Sequence, residues 1–189
     1  STTTSNANDA NTAVPTISGT TTEDQTLTAD GSPLTGNDED GMTNAVFTYQ
    51  WQRCTGTTAG TCSDISGATS STYALGNDDS EKYIRVAVMY TDDYSTAETV
   101  YSAISAKITD VNDAPTVASA ISDVSTAEDA AYSLDASGTC ADVDGDDTPS
   151  YTISGAPSTI TATTAGVISG TPVNANVGDH TITVTCSDG

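Results

Sequence analysis

The segment VFTYQWQR, residues 46–53, alternates apolar and polar side chains along its length. Phe47, Tyr49 and Trp51 therefore fall on one face of an extended chain, with threonine and glutamine on the other. This period of two predicts a β-strand with one buried face. It also predicts that the aromatic face is core, with Trp51 as its anchor, and not a sugar-stacking platform.

Strands of the same kind are predicted on both sides of this segment. YIRVAVMY, residues 83–90, alternates with Ile84, Val86 and Val88 inward. Residues 100–108 are predicted to form another strand, and clusters of Gly, Asn, Asp and Ser between the runs are typical of turns. No long run has a period of 3.6, so the chain is predicted to be all-β. Further strands are expected at Leu27 and Ala29, Tyr132 and Leu134, Tyr151 and Ile153, Val167 and Ile168, and residues 181–186.

The pattern divides the 189 residues into two modules. Residues 1–14 are polar and predict a tail or linker, and residues 15–108 form the first module. Residues 109–116 are a second linker, followed by a module at 117–189. This second module is expected to lack its last strand, which leaves an open sheet edge.

The charge balance excludes several classes of partner. The chain has 26 acidic and 4 basic residues, for a net charge of −22. Such a surface repels nucleic-acid backbones and anionic lipids, and no segment is apolar enough to insert into a membrane. Divalent cations remain as partners. The simpler interpretation is a solvated acidic surface that keeps the protein soluble.

Four cysteines predict two disulfides and an oxidising compartment. Cys54 and Cys62 flank a short Gly/Thr loop, and Cys140 and Cys186 lie near strand ends of the second module. The pairs Cys54–Cys62 and Cys140–Cys186 are preferred because each bridge then stays within one module. Reactive thiols are disfavoured because no cationic group is near enough to lower a thiol pKa.

Several motifs carry a resemblance to known families. DVNDAP at residues 110–115 resembles the inter-domain linker of cadherins. ADVDGDD at 141–147, SGTP at 169–172 and GDHTITVTCSDG at 178–189 together resemble a bacterial cadherin-like module of the dystroglycan type. The sequence departs from that family where His180 replaces an aromatic residue, and in the expected absence of the last strand.

The first module resembles the Ig-like repeats of large bacterial surface adhesins. The resemblance rests on TYQWQRC at residues 48–54, SGATSSTYAL at 66–75 and KYIRVAV at 82–88. The resemblances imply two tandem Ig-like/cadherin-like β-sandwiches in an extracellular or cell-surface protein. The two cysteine pairs are unusual for adhesin repeats.

Acidic clusters near the second linker predict structural calcium. Calcium takes six to eight oxygen ligands from carboxylates and carbonyls. The alternative is that these residues form ordinary Asx turns in solvated loops. Candidates for a further contribution are Asp146, Asp147 and Asp188, and weaker clusters lie at Asp38–Asp40 and at Asp92 and Asp93. The predicted ligands are Glu23, Asp110, Asn112, Asp113, Asp142 and Asp144.

Composition disfavours an enzyme and leaves three non-catalytic functions open. The one histidine, His180, is placed on a strand with no evident nucleophile or base, and aromatic residues are only 5 %, too few to line a glycosidase cleft. The chain could be a self-associating subunit or repeat of an extracellular fibre, with residues 13–17 donating a strand to the open edge of another copy. It could instead be a ligand-binding module of a multi-repeat adhesin, for a glycan or protein, or a calcium-rigidified spacer.

Overall fold

A computed structural model describes residues 7–144 and 148–188 of the chain. The chain divides into two compact units, Ser1–Val111 and Asn112–Gly189, which we call unit 1 and unit 2. The division falls inside the predicted linker at residues 109–116. The fold is all-β, as predicted, and the helical residues described are four single turns of 3-10 helix. These turns are Ser32–Leu34, Ala59–Thr61, Asn77–Asp79 and Asn174–Asn176.

Unit 1 contains seven described strands in two antiparallel sheets. One sheet has the order β1-β2-β5 and the other has the order β4-β3-β6-β7. The β3 strand, which contains the VFTYQWQR aromatics from Tyr49 on, lies between β4 and β6, so it is paired along both edges. The strands are β1 (Thr16–Ser18), β2 (Thr26–Asp30), β3 (Thr48–Cys54), β4 (Cys62–Asp64), β5 (Thr72–Ala74), β6 (Tyr83–Thr91) and β7 (Ala97–Tyr101).

The core of unit 1 is shared by its two sheets, which makes it a β-sandwich. Trp51 is fully buried, its ring stacks on Tyr73 with 5.6 Å between centroids, and its Nε1–H donates to the Ser70 carbonyl at 2.8 Å. The predicted inward face of β6 is confirmed, and Leu27 of β2 is buried against it. The fully buried residues of this core are Leu27, Leu34, Trp51, Ile84, Val86, Val88 and Ile108.

The predicted strand at residues 100–108 is wrong in extent, because β7 ends at Tyr101. Beyond it the chain still follows β6, but two hydroxyl groups replace carbonyls in the ladder. Val86 N–H donates to Ser102 Oγ at 3.0 Å, and Ile84 N–H donates to Ser105 Oγ at 2.9 Å. Side-chain bonds of this kind compete with regular strand pairing. The apolar alternation marks burial here and not regular strand.

Part of the predicted tail packs on unit 1. Asn11 Nδ2 donates to the Leu34 carbonyl at 2.9 Å and to the Tyr90 hydroxyl at 3.1 Å. Ala13 packs against the core, and Pro15 is among the fully buried side chains. The polar composition of the tail concealed this because its bonds are made by the polar side chains of Asn8, Asn11 and Thr12 and by the backbone.

Unit 2 contains the other seven described strands. Its sheets have the orders β9-β13-β12, β11-β14 and β8-β10. Its buried apolar cluster is small and consists of Ala136, Ile160 and Ile168. Alternation predicted β9, β11, β13 and β14 but not the short strands β8, β10 and β12, and the last strand begins at Thr183 and not at residue 181. The strands are β8 (Thr116–Val117), β9 (Tyr132–Asp135), β10 (Cys140–Ala141), β11 (Ser150–Ser154), β12 (Ile160–Ala162), β13 (Val167–Gly170) and β14 (Thr183–Ser187).

Both predicted disulfides are present. Cys54–Cys62 joins the facing ends of β3 and β4, which are directly paired in that sheet. Cys140–Cys186 joins β10 to β14 and so ties two sheets of unit 2 together. Among the residues that the structure covers, no helix has the length and apolar character to cross a membrane.

Candidate functional site

The linker residues and the DxD loop of unit 2 are brought together. The Asp113 N–H donates to Asp144 Oδ2 at 2.6 Å, and the Asp144 N–H donates to Asp142 Oδ1 at 3.0 Å. Asn112 Nδ2 donates to Asp188 Oδ2 at 2.9 Å. The unit thus gathers the four predicted ligands that it contains, with Asp188 beside them.

The chemistry of this loop fits both predicted alternatives. The bond from the Asp144 amide to Asp142 is an Asx turn, as the simpler interpretation requires. Asp142 Oδ2, however, is shielded from solvent and has no hydrogen-bond partner among the described residues. Asp146 and Asp147, the other predicted contributors to this loop, lie outside the described residues.

The other two predicted ligands, Glu23 and Asp110, belong to unit 1. Glu23 is 1 % exposed, its N–H donates to the Thr109 carbonyl at 2.9 Å, and its Oε2 accepts from the Val111 N–H at 3.2 Å. Asp110 is exposed and accepts from Ser80 Oγ. Glu23 therefore fastens the chain segment after Ile108 to the loop before β2, and the six predicted ligands are divided between the units.

No formed metal centre is present in the described parts of the chain. Within residues 7–144 and 148–188, no three Asp, Glu, His or Cys side chains are grouped so that they could hold an ion. The predicted calcium ligands stay a prediction. The carboxylates of Glu23, Asp142 and Asp144 accept from backbone amides in this arrangement, which for Asp142 is the role that Asx-turn residues have.

Sequence reasoning ranked the acidic clusters at 38–40 and 92–93 as weaker, yet three of these acids are more deeply buried than Asp142 and Asp144. Asp38, Asp40 and Asp92 are 7 %, 4 % and 5 % exposed. The burial of Asp92 has a local signal in the sequence, which is the alternation at the end of β6. This alternation continues past Thr91 and turns Asp92 inward. Burial of Asp38 and Asp40 depends on residues far away in the chain and has no local signature.

The charged side chains that line a surface groove of unit 1 are engaged in ordinary structural contacts. A groove of about 450 Å³ is lined by Arg53, Asp64 and Asp78, with Ser, Thr and Ile. Asp64 accepts from Gln52 Nε2 at 2.6 Å, and Asp78 lies 3.6 Å from Arg53. No aromatic side chain lines this groove, which a sugar subsite would be expected to offer.

His180 is exposed and lies before β14 and not on a strand. Its Nε2 is 2.9 Å from the Asn176 carbonyl, the one contact described for its ring. This contact is to a backbone oxygen, whereas nucleophile activation requires a hydrogen bond to a serine, threonine or cysteine side chain.

The family comparison bears on unit 2. Residues 114–189 match the family model described as "Putative Ig domain". This part of the chain has an Ig-like fold. Ig-like domains of this family are typically non-enzymatic and are structural or adhesion-type modules. A search of curated proteins finds no match to the chain.

Proposed function

We propose that the chain is a non-catalytic structural segment of an extracellular or cell-surface appendage, built from two tandem Ig-like sandwiches, and that it assembles into fibres by strand addition. The observation that carries the proposal is the edge of β14 in the Ig-like region. β14 pairs with β11 along one edge, and no described strand pairs along its other edge.

The β14 edge has the properties of an acceptor. All five residues of β14 pair in register with β11, so the strand is held flat and extended on one side. Its inward residues, Val184 and Cys186, are only partly buried, and Val184 packs on the small core of unit 2. An added strand would pair along the edge of β14 that no described strand occupies and would cover this core.

The location outside the cytoplasm is supported by covalent and electrostatic features. Two disulfides persist in oxidising compartments, and each one here lies within a single unit. A net charge of −22 keeps the surface soluble and repels nucleic acid.

Residues 13–17, the predicted donor, are used within unit 1. β1 pairs with β2 through Thr16 and Asp30, and Ile17 packs against the core of unit 1. Donation by this segment would require it to leave that sheet. The proposal therefore places the acceptor edge on β14 and takes the donor to be another strand of a second copy.

Electron microscopy of the purified chain at rising concentration tests the proposal. We expect filaments, and we expect them to disappear when a strand as long as β14, of alternating Val and Thr, is appended after the turn dipeptide Asp188-Gly189. A Gly/Ser extension of equal length is the control, because it cannot form a strand and should leave assembly intact. Monodisperse chains at every concentration, with or without either extension, would reject fibre assembly.

The second candidate is a calcium-stiffened spacer or ligand-binding segment of a multi-repeat, cadherin-like adhesin. It is favoured by the contacts among Asp113, Asp142 and Asp144, by the bond from Asn112 to Asp188, and by the shielded Asp142 Oδ2. A cation there would replace amide contacts with direct ligation.

Small-angle scattering with calcium or with chelator separates the spacer from the fibre. We expect calcium to narrow the distribution of particle dimensions in the wild-type chain and in Asp123→Asn, whose side chain is exposed. Asp144→Asn should lose the response. Scattering profiles that do not change with chelator would remove the calcium-stiffened spacer. A glycan array would then test the ligand-binding role.

A further inference from the structure

Three aspartates of unit 1 are buried in a way that the functions above do not use. Asp38 is 7 % exposed, Asp40 is 4 % exposed and Asp92 is 5 % exposed. The side chain of aspartate is almost never fully buried unless it is paired. The acids occupy two segments, the loop at residues 38–41 and the turn that follows β6.

The two segments pack on each other. The Asp93 N–H donates to the Gly41 carbonyl at 3.1 Å, and the Tyr90 hydroxyl donates to Asp38 Oδ2 at 2.7 Å. Along the end of β6, Tyr90 and Asp92 are buried while Thr91 is exposed. Alternation therefore directs Asp92 to the same interior side as Tyr90, which is the side on which Asp38 lies.

Asp92 has one carboxylate oxygen in use and one that is not. Its Oδ1 accepts from the Tyr94 N–H at 2.9 Å and from the Thr96 N–H at 2.7 Å, which closes the turn. Its Oδ2 is shielded from solvent and has no hydrogen-bond partner among residues 7–144 and 148–188. A buried carboxylate oxygen without a partner is costly because it has lost its hydration and gained nothing in exchange.

No ion pair within the described residues neutralises Asp38 or Asp92. Arg53 and Lys107 pair with Asp79 and Glu81, and Arg85 is held by Gln52 and lies over the Tyr101 ring. In the described residues no ion pair reaches Asp38 or Asp92, whose donors are backbone amides and one hydroxyl. The fourth basic residue, Lys82, makes no described ion pair.

We propose that Asp38, Asp40 and Asp92 form a divalent-cation site of the calcium class in unit 1. Buried carboxylates with backbone carbonyls close by are the hard oxygen donors that calcium takes in flexible geometry. Since no three acids are already grouped around one point in the described structure, loading the ion draws the loop at residues 38–41 onto the turn after β6. The ion supplies Asp38 and Asp92 with the countercharge that no described basic side chain gives them.

Hydrogen exchange of the full chain in calcium or in chelator tests this site directly. At about 10 mM calcium, above the Kd of 10⁻⁴–10⁻³ M typical of extracellular modules, we expect exchange at residues 38–42 and 92–96 to slow about tenfold or more. Asp92→Asn should abolish the slowing. Asp38→Asn provides a second variant, and Trp51 fluorescence verifies that each variant folds.

Glu39→Gln is the matched control, because Glu39 lies in the same loop, carries the same charge and is exposed. It should keep the full calcium response. Wild-type exchange at these residues that is indifferent to calcium, or a response that survives in both aspartate variants, overturns the proposal. A calcium response confined to unit 2 also overturns it, while leaving the spacer function standing.

Discussion

Asp79 Oδ1 accepts a hydrogen bond from Arg53 Nε at 2.7 Å, although Asp79 is only 1 % exposed. Its second oxygen accepts from the Tyr73 hydroxyl at 2.8 Å and from the Gly76 N–H at 3.1 Å. One carboxylate thus fastens β3, β5 and the turn before β6. Tyr73 also stacks on Trp51, so this polar contact adjoins the core of unit 1.

Replacing Asp79 with alanine should destabilise unit 1 by about 3 kcal/mol. The change removes a buried charge partner and leaves the groups of Arg53, Tyr73 and Gly76 that bonded to it without that acceptor. The measurement is urea unfolding followed by the fluorescence of Trp51, the single tryptophan of the chain. Asp78→Ala is the control, since Asp78 is 87 % exposed and 3.6 Å from Arg53, and it should cost less than about 0.5 kcal/mol. Equal effects of the two changes would show that the bonds to Asp79 do not matter.

Unit 1 should lose stability as pH rises from about 10 to about 12. Burial, and then the bond to Asp79, raise the pKa of Tyr73 from 10.0 to about 12. The folded state therefore holds this proton more tightly than the unfolded state does. The resulting stabilisation is complete below pH 10 and is lost as pH rises through the folded pKa.

Thermal unfolding against pH, read by Trp51 fluorescence, measures this loss. Tyr73→Phe should make the decline shallower, because the titrating group is gone. Tyr94→Phe should not, since Tyr94 is 66 % exposed. An unchanged slope in Tyr73→Phe would assign the decline to other groups, including Tyr90, whose pKa burial also raises.

The two disulfides should differ in their effect on stability. Cys140–Cys186 closes a separation of 46 residues and Cys54–Cys62 one of 8. Chain entropy assigns them about 4 and about 2.5 kcal/mol. We expect the double serine variant at 140 and 186 to unfold unit 2 while Trp51 still reports a folded unit 1. Hydrogen exchange of β11 and β14 measures unit 2, and a larger loss from the shorter bridge would contradict the ranking.

The small core of unit 2 should make it sensitive to one truncation. Ile168 is 2 % exposed, and Ile168→Ala should cost about 2–5 kcal/mol through lost burial and the cavity left behind. Hydrogen exchange of β9, β12 and β13 measures this, since Ile168 lies on the central strand of that sheet. Val177→Ala, at a position 72 % exposed, should leave exchange unchanged. Comparable effects would mean that the cluster is not the core.

Local alternation predicted the strands that contain Trp51, Val86 and Ile168 because a strand repeats every two residues whatever surrounds it. It failed after Tyr101, where the hydroxyl groups of Ser102 and Ser105 take over the ladder of β6. Serine hydroxyls bond either to water or to a backbone amide. The choice depends on a strand some twenty residues away, which the local pattern does not contain.

The candidate sites divide in the same way. The acidic character and turn composition of Asp142 and Asp144 could be predicted from the sequence. Their contact with Asp113 follows from the placement of these residues in one unit. The burial of Asp38 was not readable, because the residue that covers it, Tyr90, lies 52 positions away in the chain.

The sequence by itself determined the all-β class, the paired cysteines and the acidic surface, because strand period, cysteine spacing and charge are local or additive properties. Only the tertiary structure decided which carboxylates lose water and which partners they meet. Burial and pairing arise where distant segments pack, as Arg53 and Asp79 or Tyr90 and Asp38 do, and these contacts have no signature in the local sequence.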